Sequence, residues 1–217
     1  MDREAMTAKR KKKNPHCPVS GCRTKQPHLS SSTTAGLHQI FSNDERLAQW
    51  TKHCIAELTN SAMTDATQGR FFGYLTRWRQ PDEMYYRALY MLFVADKTVI
   101  PHLLSGEMPN SFSSMQKAVN QAVFDGKRAL DQPLTGLSGE QFTVFDTLNS
   151  SAHASFATIV TCIKFAKDPD FRAPIIAKHL EYWRLLCNNL DHIEKMFRDG
   201  KTREEVLADF RKLHEKK

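Results

Sequence analysis

Between residues 171 and 198, Ile176, Leu180, Trp183, Cys187 and Leu190 recur at steps of four, three, four and three, and Phe197 follows seven residues later. That is the period of one helix face. An apolar stripe of about six turns must be covered by other elements, so it commits the chain to a packed helical domain. A second stripe, in residues 140–166, runs through Phe145, Leu148, Ala152, Phe156, Ile159 and Ile163. Residues 82–100 are apolar nearly all round (Tyr85, Tyr86, Leu89, Met91, Leu92, Phe93, Val94), which places this helix mid-domain, and Pro101 is expected to end or kink it. Phe112, Met115, Val119 and Val123 predict a helix over 111–130, and Val206, Phe210 and Leu213 predict one over 202–215. No stretch alternates convincingly over five residues, so little or no sheet is expected. The expected class is all-α: an irregular bundle of six or seven helices, preceded by a small Cys/His knuckle and a basic arm.

Helix ends carry their own signals. "SNDE" (Ser42 to Glu45), "SGEQ" (Ser138 to Gln141) and "TREE" (Thr202 to Glu205) each read as a capping box opening a helix. Gly200 stands where a helix C-terminus favours a left-handed residue. "KDPDF" (Lys167 to Phe171) breaks the chain between two helical patterns.

Charge divides the 217 residues in two. The first 30 hold eight basic and two acidic side chains, a balance of +6 out of the chain's +7, which leaves +1 for the other 187. A basic arm on a neutral body indicates a tether, an address signal or a local electrostatic contact rather than a broad basic face. The expected division is therefore 1–40, arm and knuckle, and 41–217, helical domain. The longest apolar run, Ala88 to Ala95, has eight residues, far below the ~20 that span a bilayer, so no membrane partner is expected. "MDREAMTAKRKKK" lacks an apolar signal region. An odd count of five cysteines agrees with a reducing compartment. The expected location is cytoplasmic, or nuclear in a eukaryotic cell.

The arm contains the sharpest chemical pattern. Cys17 and Cys22 flank "PVSG", whose Pro18 and Gly21 favour a tight turn. With His28 and His38 they make two thiolates and two imidazoles, the donor set of a tetrahedral zinc site. His16, His53 and Cys54 are alternatives for the fourth position. Residues 14–38 are too polar to fold by burial, so a metal is the energy source that could order them. The cation array Lys9, Arg10, Lys11, Lys12, Lys13, Arg23 and Lys25 would then meet phosphates of nucleic acid in a salt-dependent, sequence-indifferent way. The competing reading is a disordered basic address tail that binds no metal, on a helical scaffold or effector.

Elsewhere the bland reading is favoured. "GRFFGYLTRWRQ" interleaves Arg70, Arg77 and Arg79 with aromatics, which could stack on unpaired bases. Phe71, Tyr74, Leu75 and Trp78 nevertheless fall at i, i+3, i+4 and i+7, a core-facing stripe. His179 sits on an apolar face, and Asp146, Ser150 and His153 flank another stripe. Together they could form a buried acid–base cluster, or simply a satisfied polar network. Cys54, Cys162 and Cys187 read as small core residues. The functional expectation is an intracellular, non-enzymatic binding protein: a basic zinc-knuckle head contacts nucleic acid, and the helical domain serves protein interaction or dimerisation.

Overall fold

The structure is a computed structural model that describes residues 31–99, 112–124, 133–135, 141–143 and 156–215. Its helices are α1 (Ser31–Ser42), α2 (Asp44–Thr67), α3 (Phe71–Arg77), α4 (Arg79–Phe93), α5 (Phe112–Val123), α6 (Phe156–Lys167), α7 (Pro169–Arg198) and α8 (Arg203–Glu215). A 3-10 turn spans Lys97–Val99, and two three-residue strands, β1 (Pro133–Thr135) and β2 (Gln141–Thr143), pair antiparallel with Leu134 opposite Phe142. The chain is an all-α bundle, with one short strand pair among the described residues. Helices α3 and α4 nearly run together, because Trp78 between them keeps helical dihedrals (φ −52, ψ −40). The expected boundary at residues 40/41 falls inside α1.

Local chemistry sets most of the ends. Asn43 adopts an extended conformation, and its Oδ1 accepts from the Arg46 N–H at 2.9 Å, which starts α2. The expected cap, Ser42, instead belongs to α1, where its hydroxyl donates to the His38 carbonyl at 2.6 Å. The start signal is thus displaced by one residue, since an Asn competes with the Ser beside it. Gly69 (φ 72) closes α2, with Gly69 N–H donating to the Ala66 carbonyl and Arg70 N–H to the Asp65 carbonyl. The same double bond pattern recurs at Gly200 (φ 83), using the Phe197 and Met196 carbonyls. Both are Schellman closures, which need positive φ and hence glycine. Asp168 caps α7 through Phe171 N–H at 2.9 Å, with Pro169 in its first turn. The "TREE" box is reciprocal: Thr202 Oγ1 accepts from Glu205 N–H at 3.3 Å, and Glu205 Oε2 accepts from Thr202 N–H at 2.8 Å.

Helices α2 and α7 form the spine, about 36 and 45 Å long at the α-helical rise. They run antiparallel, as Glu45–Arg198 and Lys52–Asp191 ion pairs show. The buried line of α7 is His179, Trp183, Leu186, Leu190 and Ile193. Ile176, Leu180, Cys187 and Phe197 of the expected stripe pack at its margins. Helix α4 lies mid-core with Tyr85, Tyr86, Leu89 and Leu92 sealed from solvent. It ends at Phe93, well before Pro101, and the Asp96 side chain then accepts from Thr98 N–H to open the 3-10 turn. Met115, Val119 and Val123 of α5, and Val206 and Phe210 of α8, complete the core.

Two expectations fail around residues 138–166. Gln141–Thr143 is a strand, so "SGEQ" does not open a helix there. Nor does the stripe of the expected helix face inward where it is described: Ile159 and Ile163 are each 50% exposed, while Thr158 and Phe165 are buried. The reason is composition. "FATIVTCIKF" is apolar on almost every side, so periodicity does not select the buried face. Phe145, Leu148 and Ala152 lie outside the described residues.

Candidate functional site

Of the expected zinc ligands, His38 is described; Cys17, Cys22 and His28 lie outside the described residues, as do Lys9, Arg10, Lys11, Lys12, Lys13, Arg23 and Lys25. His38 sits in the last two turns of α1, exposed, with Nδ1 3.0 Å from Ser42 Oγ. Ser42 Oγ also donates to the His38 carbonyl at 2.6 Å; a tautomer with the ring proton on Nδ1 would leave Nε2 as the nitrogen able to ligate a metal. Among the described residues no three His, Cys, Asp or Glu side chains converge as a metal shell requires. His38, His53 and Cys54 therefore do not make a shell by themselves; His53 instead pairs with Glu57 at 3.3 Å on α2.

The arginines of the aromatic stretch are engaged within the fold. Arg70 and Arg77 both hold the buried Asp65 carboxylate, while Arg79 pairs with Glu83 at 2.5 Å and lies over the Phe112 ring. Tyr74, Leu75 and Trp78 are fully buried, so this face is core, as its spacing indicates.

His179 is 1% exposed. Its Nδ1 lies 3.0 Å from the Tyr74 hydroxyl, its ring centroid is 4.0 Å from that of Trp78, and it stacks near Trp183. Burial pushes its pKa down to about 3, so the imidazole stays neutral at physiological pH. Sealed in this way, it reaches no dissolved substrate. Asp146, Ser150 and His153 lie outside the described residues.

A second buried ionisable group was not singled out by the sequence. Asp82, 1% exposed, accepts at 2.8 Å from the Tyr182 hydroxyl of α7, and burial raises its pKa to about 7. The signal was available, because Asp82 shares a helical face with Tyr85, Tyr86 and Leu89 at i+3, i+4 and i+7.

Two surface features offer contact area. A groove of about 520 Å³ lies along α2, lined by Gln49, Trp50, Lys52, His53, Ala56 and, from α7, Cys187. Trp50 is 48% exposed, and Lys52 is held by Asp191 and Glu194. Burial raises the Cys187 thiol pKa, so it presents a small apolar wall rather than a thiolate. On α6, Ile159, Val160 and Ile163 are exposed together along a stretch without charge before Lys164. No described helix is long and apolar enough to cross a membrane.

No family model matches the chain, and neither a curated protein nor a solved structure matches it significantly.

Proposed function

We propose that this chain is a non-enzymatic binding protein of the cytoplasm, or of the nucleus in a eukaryotic cell, whose basic zinc-ordered head contacts nucleic acid and whose neutral helical body engages a protein partner or a second copy. The observation that carries this reading is the charge partition: residues 1–30 hold +6 of the chain's +7 beside Cys17, Cys22 and His28. His38 supports it by standing exposed on α1. The body contributes apolar contact area at Trp50 and at Ile159, Val160 and Ile163. Contacts of this kind release counterions from phosphates, so affinity should fall steeply with salt.

The test uses the full chain and a variant with Lys9, Arg10, Lys11, Lys12 and Lys13 changed to alanine. Binding to a duplex and to a single-stranded oligonucleotide is followed by fluorescence anisotropy over a salt series. Wild type should bind with a steep negative log–log salt slope, and the variant should lose most of that slope; equal, salt-insensitive curves overturn the reading. Elemental analysis of wild type and Cys17→Ser addresses the metal, with about one zinc per chain expected for wild type and less for the variant. A chain that binds nucleic acid through the same cations without zinc keeps the arm and removes the knuckle.

A further inference from the structure

We propose that Asp82, at the contact of α4 with α7, and His179, where α7 meets α3, are two opposed proton sites that hold the stability of the packing around α7 nearly constant between weak acid and neutrality. The two sites lie one turn apart on α7, since the partner of Asp82 is Tyr182, three residues beyond His179. Each is 1% exposed and each meets a tyrosine hydroxyl: Tyr182 for Asp82 at 2.8 Å, Tyr74 for His179 at 3.0 Å. A neutral carboxyl and a neutral imidazole suit such sites; their charged forms do not.

The surroundings of Asp82 give its carboxylate little support. From its own helix it faces Arg79 and Glu83, which pair with each other, and the Arg79 guanidinium lies 5.2 Å from the Phe112 ring centroid. Tyr85 accepts from Asn189 of α7 at 3.1 Å, and Tyr86 donates to Asn120 of α5 at 3.2 Å. From α7, the Tyr182 hydroxyl donates to Asp82. Burial accordingly raises the Asp82 pKa from 3.8 to about 7, against the opposing pull of the Tyr182 hydrogen bond. His179 faces Tyr74 of α3, Trp78 at the junction of α3 and α4, Trp183 of its own helix, and Phe165 of α6 behind those rings. Among these, Tyr74 is the titratable group, and burial lowers the His179 pKa from 6.5 to about 3.

The two linkages have opposite signs. Folded Asp82 keeps a proton that the unfolded chain releases above 3.8, so its share of stability falls as pH rises from about 4 to about 7. Folded His179 refuses a proton that the unfolded chain takes up below 6.5, so its share falls as pH drops from 6.5 towards about 3. Over the overlap, from about 4 to about 6.5, one proton leaves one account as another enters it. Each linkage alone changes the unfolding constant by about tenfold per pH unit.

The test is urea unfolding of full-length wild type, Asp82→Asn and His179→Gln at pH 4.5, 5.25 and 6, at fixed ionic strength. Relative to wild type, the unfolding constant of Asp82→Asn should climb about tenfold per unit of acidification, and that of His179→Gln should fall by a similar factor. Either variant tracking the wild-type pH profile overturns the proposal. A measurement on wild type alone keeps it testable if a variant does not fold. By NMR at pH 5.5, the Asp82 carboxyl carbon and the His179 ring nitrogens should both show neutral-form shifts; a charged signature from either overturns it.

Discussion

At the scale of one residue, Gly73 is held to glycine by its neighbour. A Cβ there would lie 2.6 Å from Asp65 Oδ2, and that oxygen cannot retreat, because Arg77 holds it while Arg70 holds Oδ1. Alanine gains about 1 kcal/mol of helix propensity over glycine, but it displaces a carboxylate that is 5% exposed from its donors. We expect Gly73→Ala to destabilise the fold by a net 1–3 kcal/mol, roughly the cost of a buried polar group losing partners, as read by chemical denaturation. A neutral or stabilising result would show that Asp65 shifts freely. This scale also shows what sequence patterns can and cannot see. Spacing placed Tyr74, Leu75 and Trp78 in the core, and they are there. Asp65 and Asp82 escaped the same reasoning because a carboxylate is presumed to face water; for Asp82 the shared face with Tyr85, Tyr86 and Leu89 already argued against that presumption, while for Asp65 the donors on α3 reverse it.

At the scale of the element, helix ends decide more than helix middles. Asn43 caps α2 through its side chain, whereas Ser42 bonds back into α1. Asn43→Ala should therefore cost about 1 kcal/mol, while Ser42→Ala should leave stability close to unchanged; the two melting curves compared with wild type settle the assignment. Where a terminus has one dominant signal, as at "TREE", "KDPD" and Gly200, the sequence marks it and the backbone follows. Where two side chains compete, as at Ser42 and Asn43, or where a helix is apolar all round, as in α6, local pattern underdetermines the outcome and tertiary packing chooses. The short pairing of Pro133–Thr135 with Gln141–Thr143 belongs with these cases, since three-residue strands offer too little alternation to detect. The donor set and charge array of the candidate head are properties of composition and spacing, and apart from His38 they lie outside the described residues.

At the scale of the whole molecule, Asp44 ties remote pieces together. Its carboxylate accepts from Lys97 at 2.6 Å and from two nitrogens of Arg203 at 2.6 and 2.8 Å. Arg203 also donates to the Met91 carbonyl, and Lys97 to that of Phe41. One side chain thus joins the starts of α2 and α8 to the ends of α1 and α4. Burial alone would raise the Asp44 pKa, but the hydrogen bonds from Arg203 and Lys97 outweigh it and hold the value below 3.8. Asp44→Ala should cost about 1–3 kcal/mol at pH 7, a buried-pair loss discounted for partial exposure. A depressed carboxylate stabilises above its unfolded pKa, so the gap between wild type and variant should close as pH falls below about 4. Stability measured at pH 7 and pH 3 reads the difference.

The spine formed by α2 and α7 has a temporal consequence. Lys52 finds Asp191 and Glu194 across separations of 139 and 142 residues, so the apolar flank of α2 emerges from the ribosome long before the helix that covers it. At ~5–20 residues per second, that interval is about 7–28 s. Until α7 follows, the flank of α2 that α7 covers can lean only on the earlier helices α1, α3 and α4.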